Sequence, residues 1–310
     1  MKTGLGACIL AGGALLLTGC TKEPGSTVLT KGVLTIECDE AVAPIMRLEV
    51  DEFQRQYTEA EITLRVVQAR EAIANFAADS VRVIVTARPL NAEEKSALEA
   101  GKVLYEEYHV AQSAVAVIGH RENPMKKIRM GQLDSIFSGE TSYWPNRRGR
   151  AVIDLAVGDV NSSTNEVFRE VVMEGKRFAR SATPISSSSE LFEYVYERPD
   201  AIGIIGLAWL KGVAEGVTVM AVGRAGVSPD STQPPGLFYS PAAAYVFKGY
   251  YAISTPVYIY TREVSRDLGL GFIAFVAGAE GQKVINRNGL VPVTMPVRLI
   301  QLSSEQVEGQ

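Results

Sequence analysis

The chain has 310 residues, 31 of them basic and 35 acidic, giving a formal net charge of -4, and 46% of the residues are hydrophobic. That length suits one large domain or two modest ones with a real core. The mild acidity and the lack of a basic stripe exclude nucleic acid as a partner, because that binding rests on neutralising phosphates with Lys and Arg.

Met1-Lys2-Thr3 is followed by a small, apolar run from Gly4 to Leu17, shorter than the roughly twenty apolar residues that a spanning helix needs. One basic residue, a short apolar core and a small-residue cleavage zone describe a secretory signal peptide over residues 1–19. Leu17-Thr18-Gly19-Cys20 resembles a bacterial lipobox, so Cys20 is the expected lipidation site. The alternative is an ordinary signal with an incidental cysteine. Two or three fatty chains on Cys20 would anchor the protein to a bacterial membrane, facing the periplasm or exterior, without a spanning helix. Residues 20–31 are polar and turn-prone and read as a flexible tether. With Cys8 in the signal and Cys20 acylated, only Cys38 remains, which leaves no intramolecular disulfide in the mature chain.

Short β-branched runs then alternate with helical periods. Val33–Ile36, Ile62–Val67 and Val81–Val85 read as strands. Val42, Ile45, Met46, Phe53 and Tyr57 share one helix face, as do Ile73, Phe76 and Ala77 on the next helix. Asn91 with Glu94 forms a capping box for a helix that stops at Gly101. Further strands are expected at Ala114–Ile118, Val152–Val157, Ala201–Ile205 and Pro256–Tyr260. Helices are expected at Lys127–Phe137, Asn165–Val172, Glu190–Glu197, Leu270–Ala277 and Glu280–Asn286, with a turn-rich stretch over 224–241. This βαβα order predicts an α/β fold with mainly parallel sheets flanked by helices, and a ligand cleft at the strand ends.

Three strand-to-helix loops could carry chemistry: Glu37 to Pro44, Gln68 to Glu71, and Gly158 to Glu166. Helix N-termini present free N–H groups and partial positive charge, so several facing one cleft make an oxyanion site. The hydroxyls of Ser162, Ser163 and Thr164 add donors. Each loop also has a purely structural reading: Asp39 is a good N-cap, and Ser163 with Glu166 and Ser187 with Glu190 spell capping boxes.

Five stretches resemble one family. They are Leu34-Thr35-Ile36 with Ala41-Val42-Ala43-Pro44, then Thr86-Ala87-Arg88-Pro89-Leu90, then Ile136-Phe137-Ser138-Gly139-Glu140 with Trp144. Ala201 to Gly206 follows, and last Phe275 with Glu280-Gly281-Gln282. Together, from Gly32 to about Pro296, they resemble the phosphate-binding proteins of ABC transporters, within the two-lobed type II periplasmic-binding-protein fold. The resemblance implies lobe one at 32–111 and 256–300, lobe two at 112–255, and a tail at 301–310. It implies a monomer that is not an enzyme, uses no cofactor or metal, binds inorganic phosphate and is served by a permease and an ATPase. The expected ligand-binding residues are Asp39, Glu40, Ala41, Arg70, Arg88, Asn161, Ser162, Ser163 and Thr164. The family's arginine before Ser-Gly-Thr appears as Gly158, its first-loop serine/threonine pair as Asp39 and Glu40, and its glycine-rich loop as Gln68-Ala69-Arg70-Glu71.

An ionised Asp39 or Glu40 repels a dianion, by roughly 4 kcal/mol at 4 Å and an effective dielectric of 20. The same carboxylate can accept a hydrogen bond from a protonated ligand oxygen, which favours hydrogen phosphate over sulfate. Rival readings are a degenerate lipoprotein serving as sensor or protein-docking module, a binder of another small anion, and an enzyme using Cys38, Asp39 or Glu40. His109 and His120 have no partners at metal-ligand spacing, and Gly269-Leu270-Gly271 reads as a helix start rather than a dinucleotide fingerprint.

Overall fold

In the computed structural model the described residues are 29–145, 150–211, 214–224, 236–262 and 267–294. The signal, lipobox and most of the tether lie outside them, as do residues 225–235 of the turn-rich stretch and the tail. In chain order the elements are β1 (Gly32–Asp39), α1 (Ala43–Gln56), β2 (Ala60–Val67), α2 (Ala69–Ala77), β3 (Val83–Thr86) and α3 (Ala92–Ala100). The long β4 (Glu106–His120) leads to β5 (Lys127–Arg129), α4 (Met130–Phe137), β6 (Asp154–Val157), α5 (Ser163–Val171), β7 (Thr183–Pro184), α6 (Ser188–Glu197) and β8 (Ala201–Gly206). Then come β9 (Val217–Val219), β10 (Ala221–Gly223), β11 (Phe238–Tyr239), α7 (Ala243–Phe247), β12 (Ser254–Thr261), α8 (Leu268–Ala277), α9 (Ala279–Arg287) and β13 (Val291–Pro292).

The main path of the sheet runs β2-β1-β3-β12-β4-β8-β6-β7. Its two ends are parallel, as the βαβ order predicts, with β1 beside β2 and β3, and β6 beside β7 and β8. The middle is antiparallel, because β12 and β4 run against their neighbours.

Alternation along each strand divides the apolar residues between two faces. Val83 and Val85 join a core with Ile36, Met46, Phe53, Phe272 and Val276, whereas Ile84 packs with Ile73, Phe76, Leu98 and Tyr260 on the other face. Phe53 meets Phe272 and Phe275 edge-on, at centroid distances of 5.6 and 5.3 Å. In the second half Ile202 and Ile204 face Phe137 and Phe168, and Ile205 faces Leu191 and Val195. β4 contributes Val110 and Ala111 to the first half's core and Ala114 to Ile118 to the second's, so a single strand passes from one lobe into the other.

Two local expectations are corrected. Lys127–Arg129 is a strand, β5, paired with β10, and the helix begins at Met130. The N-cap of α5 is Ser162, which accepts from Asn165 N, so Ser163 and Glu166 do not form a capping box. The Asn91–Glu94 box has both its bonds and its helix ends at Gly101. Gly269 and Gly271 lie within α8, which Asp267 caps.

Candidate functional site

The expected site residues converge where the first and second halves meet. β1 ends at Asp39, whose fully buried carboxylate accepts from Ala41 N at 3.2 Å and from Ala87 N at 2.9 Å. The Ala41 bond caps a short 3₁₀ turn at Glu40–Val42, so the structural reading of Asp39 as a cap is correct. Burial pushes the Asp39 carboxyl up, and the donors at Ser163, Ala87 and Ala41 with the charge of Arg88 pull it back only in part. Ser163 Oγ thus lies near enough to favour the ionised form, yet it has no aligned partner and is buried.

Opposite Asp39 stands the first turn of α5. Ser163 and Thr164 are the first two residues of that helix, positions whose N–H groups have no intrahelical acceptor. Ala41, Ala87, Ser113, Ser163, Thr164, Gly206 and Thr255 are among the residues that line a small pocket. The cavity volume there is about 10 Å³, roughly the space that one water molecule fills. Gly206 is required here, since a Cβ would come within 2.5 Å of the Ala41 carbonyl oxygen.

Both candidate arginines are occupied by glutamates outside the expected set. Arg88, 3% exposed, donates from Nη2 and Nη1 to Glu94 Oε1 and Oε2 at 2.6 and 2.7 Å. Its Nε lies 3.0 Å from Glu166 Oε2, an ion pair without hydrogen-bond alignment. Burial works against the Arg88 charge, but Glu94, Glu166 and Asp39 outweigh it and raise its pKa. Burial likewise opposes ionisation of Glu94, and the bonds from Arg88 and Asn91 N outweigh it and lower its pKa. Arg70, half exposed, places Nε 3.4 Å from Glu166 Oε2, and its backbone N–H donates to Asn161 O at 3.3 Å.

Glu40 points to the N-terminus of α6, where Ser188 N and Ser188 Oγ donate to its two oxygens at 2.9 and 2.8 Å. Burial raises the Glu40 pKa, partly offset by those Ser188 bonds. Glu40, Gln68, Ser162, Thr164 and Ser188 share a second pocket. Asn161 is exposed, and its N–H is turned to Asp159 Oδ1 at 2.8 Å. Gly158 is tied by Asn165 Nδ2, which donates to its carbonyl at 2.8 Å.

The fold brings the three loops named from the sequence together, and sequence reasoning missed three side chains among them. Glu94 registered only as a capping residue, although it also binds Arg88. Glu166 was paired with Ser163 instead of with Arg88, Arg70 and Asn91. Asn165, which closes the 158–162 loop, carried no signal beyond its place in the helix. Cys38 is buried, with its thiol pushed well up by burial and by Asp39, and its Sγ donates to Asp39 O at 3.4 Å.

The comparisons agree with this architecture. A family model described as a PBP superfamily domain matches residues 22–280. The phosphate-binding protein PstS of Staphylococcus epidermidis is 24% identical over 287 residues, covering 87% of this chain and 83% of that one. A candidate phosphate ABC transporter substrate-binding protein from Clostridium perfringens, solved with bound phosphate, superposes with a TM-score of 0.72. It is 21% identical, over 85% of this chain and all of that one. An ABC-type phosphate transport receptor from Vibrio cholerae superposes with a TM-score of 0.64 at 20% identity, over 85% of this chain and all of that one. With the matched model spanning most of the sequence and the two-lobed sheet in place, the chain belongs to the PBP superfamily and is similar to its phosphate-binding members.

Proposed function

We propose that this chain is the lipid-anchored substrate-binding protein of an ABC transporter, taking inorganic phosphate between its lobes and delivering it, as a monomer, to a permease and its ATPase. Lobe one comprises 32–111 and 256–300, lobe two 112–255, and residues 20–31 tether the lobes to acylated Cys20. The observation that carries the reading is the first turn of α5 facing Asp39. Two helix-start N–H groups and the hydroxyls of Ser163 and Thr164 line a small pocket, and Ser163 lies beside the buried Asp39 carboxylate. Donors on one side and an acceptor on the other suit an oxyanion that carries a proton. Hydrogen phosphate meets that description and sulfate does not. The names of the similar proteins support phosphate as the ion.

Thermal unfolding of the lipid-free chain from Thr21, with phosphate, with sulfate and in buffer alone, tests this. Phosphate at one hundred times its dissociation constant adds about 2.7 kcal/mol of stability, and sulfate adds none. A second reading, a sensor or docking module with a lapsed anion site, is favoured by the pairing of Arg88 and Arg70 with Glu94 and Glu166. It becomes the better account if no oxyanion at millimolar concentration moves the transition.

A further inference from the structure

We infer a second ligand site, apart from the anion pocket, that takes a small carboxylate with a short branched or ring-shaped apolar tail. It is a cavity of about 120 Å³, lined by Pro44, Ile45 and Leu48 of α1, by Ala208 and Lys211 in the turn after β8, and by Asn288 at the end of α9. That space approaches the roughly 150 Å³ that receives a benzene ring in an engineered core cavity. Bonds between the three elements fix its walls. Trp209 Nε1 donates to Glu40 O at 2.8 Å and holds the turn against the start of α1. Lys211 Nζ donates to Arg287 O and Asn288 Oδ1 at 3.0 and 2.6 Å and holds the turn against the end of α9.

The lining combines two chemistries. Pro44, Ile45, Leu48 and Ala208 are apolar, and Leu48 is left 43% exposed. Lys211 and Asn288 bring donors. Two of the three ammonium hydrogens of Lys211 go to the bonds just named, and one of the two amide hydrogens of Asn288 goes to Val284 O at 2.7 Å. Each group keeps one N–H to offer, and Lys211 forms no ion pair with a described carboxylate. The negative end of α9 is already met by Lys211, whereas Pro44 and Ile45 belong to the first turn of the 14-residue α1, a positive end. A bare oxyanion has nothing to set against the apolar lining, and a sugar would lose the hydration of its hydroxyls there. An uncharged apolar molecule would cover the Lys211 ammonium without a counter-ion. A carboxylate on a short apolar tail satisfies both parts, and this site does not depend on the phosphate reading.

Nuclear magnetic resonance titration of the lipid-free chain from Thr21 in phosphate-free buffer tests it, read at the side-chain amide of Asn288 and the methyl of Ala208. With 4-methylpentanoate both signals should shift and saturate, with a dissociation constant on the order of 1 mM. Uncharged 4-methylpentanamide and tailless acetate should bind about tenfold more weakly or less. Lys211→Gln, at an exposed position, should weaken 4-methylpentanoate about tenfold and leave the amide unchanged. Ala208→Leu, which fills the apolar part, should abolish binding of both. No saturable shift at either signal overturns the site, as do equal affinities for the carboxylate and the amide. A Lys211→Gln chain that binds 4-methylpentanoate as the wild type does overturns it too. Should circular dichroism show Ala208→Leu unfolded, Lys211→Gln decides the matter alone.

Discussion

Glu49 offers a sharp test of the physics, away from the cleft. It sits on the inner face of α1 among Ile45, Met46, Val50 and Phe53, fully buried, and neither carboxylate oxygen has a hydrogen-bond partner. Burial, aided by Glu52, pushes its pKa from the ordinary 4.5 up to about 9. The folded protein therefore holds this proton while the unfolded chain releases it. The sign follows: the full stability is present below about pH 4.5 and is lost as pH rises toward 9, at about 1.4 kcal/mol per pH unit. At pH 7 the loss amounts to about 3 kcal/mol. Glu49→Gln keeps the shape and removes the titration. It should raise stability by up to about 3 kcal/mol at pH 7, or about 6–12 °C in Tm, and change little at pH 4.5. Denaturant melts of both proteins from pH 4.5 to 8 give the difference directly. A gap that does not widen with pH, or a variant less stable than wild type at pH 7, would refute the assignment of a buried neutral carboxyl.

Two further substitutions separate binding from folding. Ser163→Ala removes a buried hydroxyl that has no aligned partner, so stability should fall by no more than about 1 kcal/mol, while phosphate affinity measured by calorimetry drops about fivefold, one neutral hydrogen bond's worth. An affinity equal to wild type would remove Ser163 from the site. Asp39→Asn should cost about 1–3 kcal/mol of stability, because an amide oxygen can serve only one of the two N–H groups at Ala41 and Ala87. It should also narrow the ratio of phosphate to sulfate affinity; a ratio left unchanged would deny Asp39 its role in selection.

Much of the fold was legible because burial and period coincide. Val83, Ile84 and Val85 could only be an interior strand, and Asn91 with Glu94 marks its helix start within four residues. β4 was seen only in its second half, Ala114–Ile118. Its first residues, Glu106 to His109, are charged or aromatic and mostly exposed, and they are strand because β12 pairs with them. The strand at Lys127–Arg129 similarly depends on β10, almost a hundred residues away. The site divides in the same way. Ser162 to Thr164 announced themselves by helix-start chemistry, a local property. Glu166 gained its meaning from Arg70, Arg88 and Asn91, between 75 and 96 positions distant along the chain, and no local pattern encodes such a pairing.

The place of β12 in the sheet sets an order of assembly. β3 and β4 are not neighbours; they are joined through β12, which is made about 170 residues after β3. At about 5–20 residues per second, the first lobe waits on the order of 10–30 s for the strand that closes its sheet. The second lobe's core, apart from Val291, lies between Ala114 and Ile253 and needs almost nothing from outside that span. The usual N-terminal-first sequence is thereby reversed. During synthesis the earliest part of the chain stays unfinished longest, with the apolar edge of β3 unpaired, so a helper that holds unfolded chains has its longest opportunity at residues 32–111.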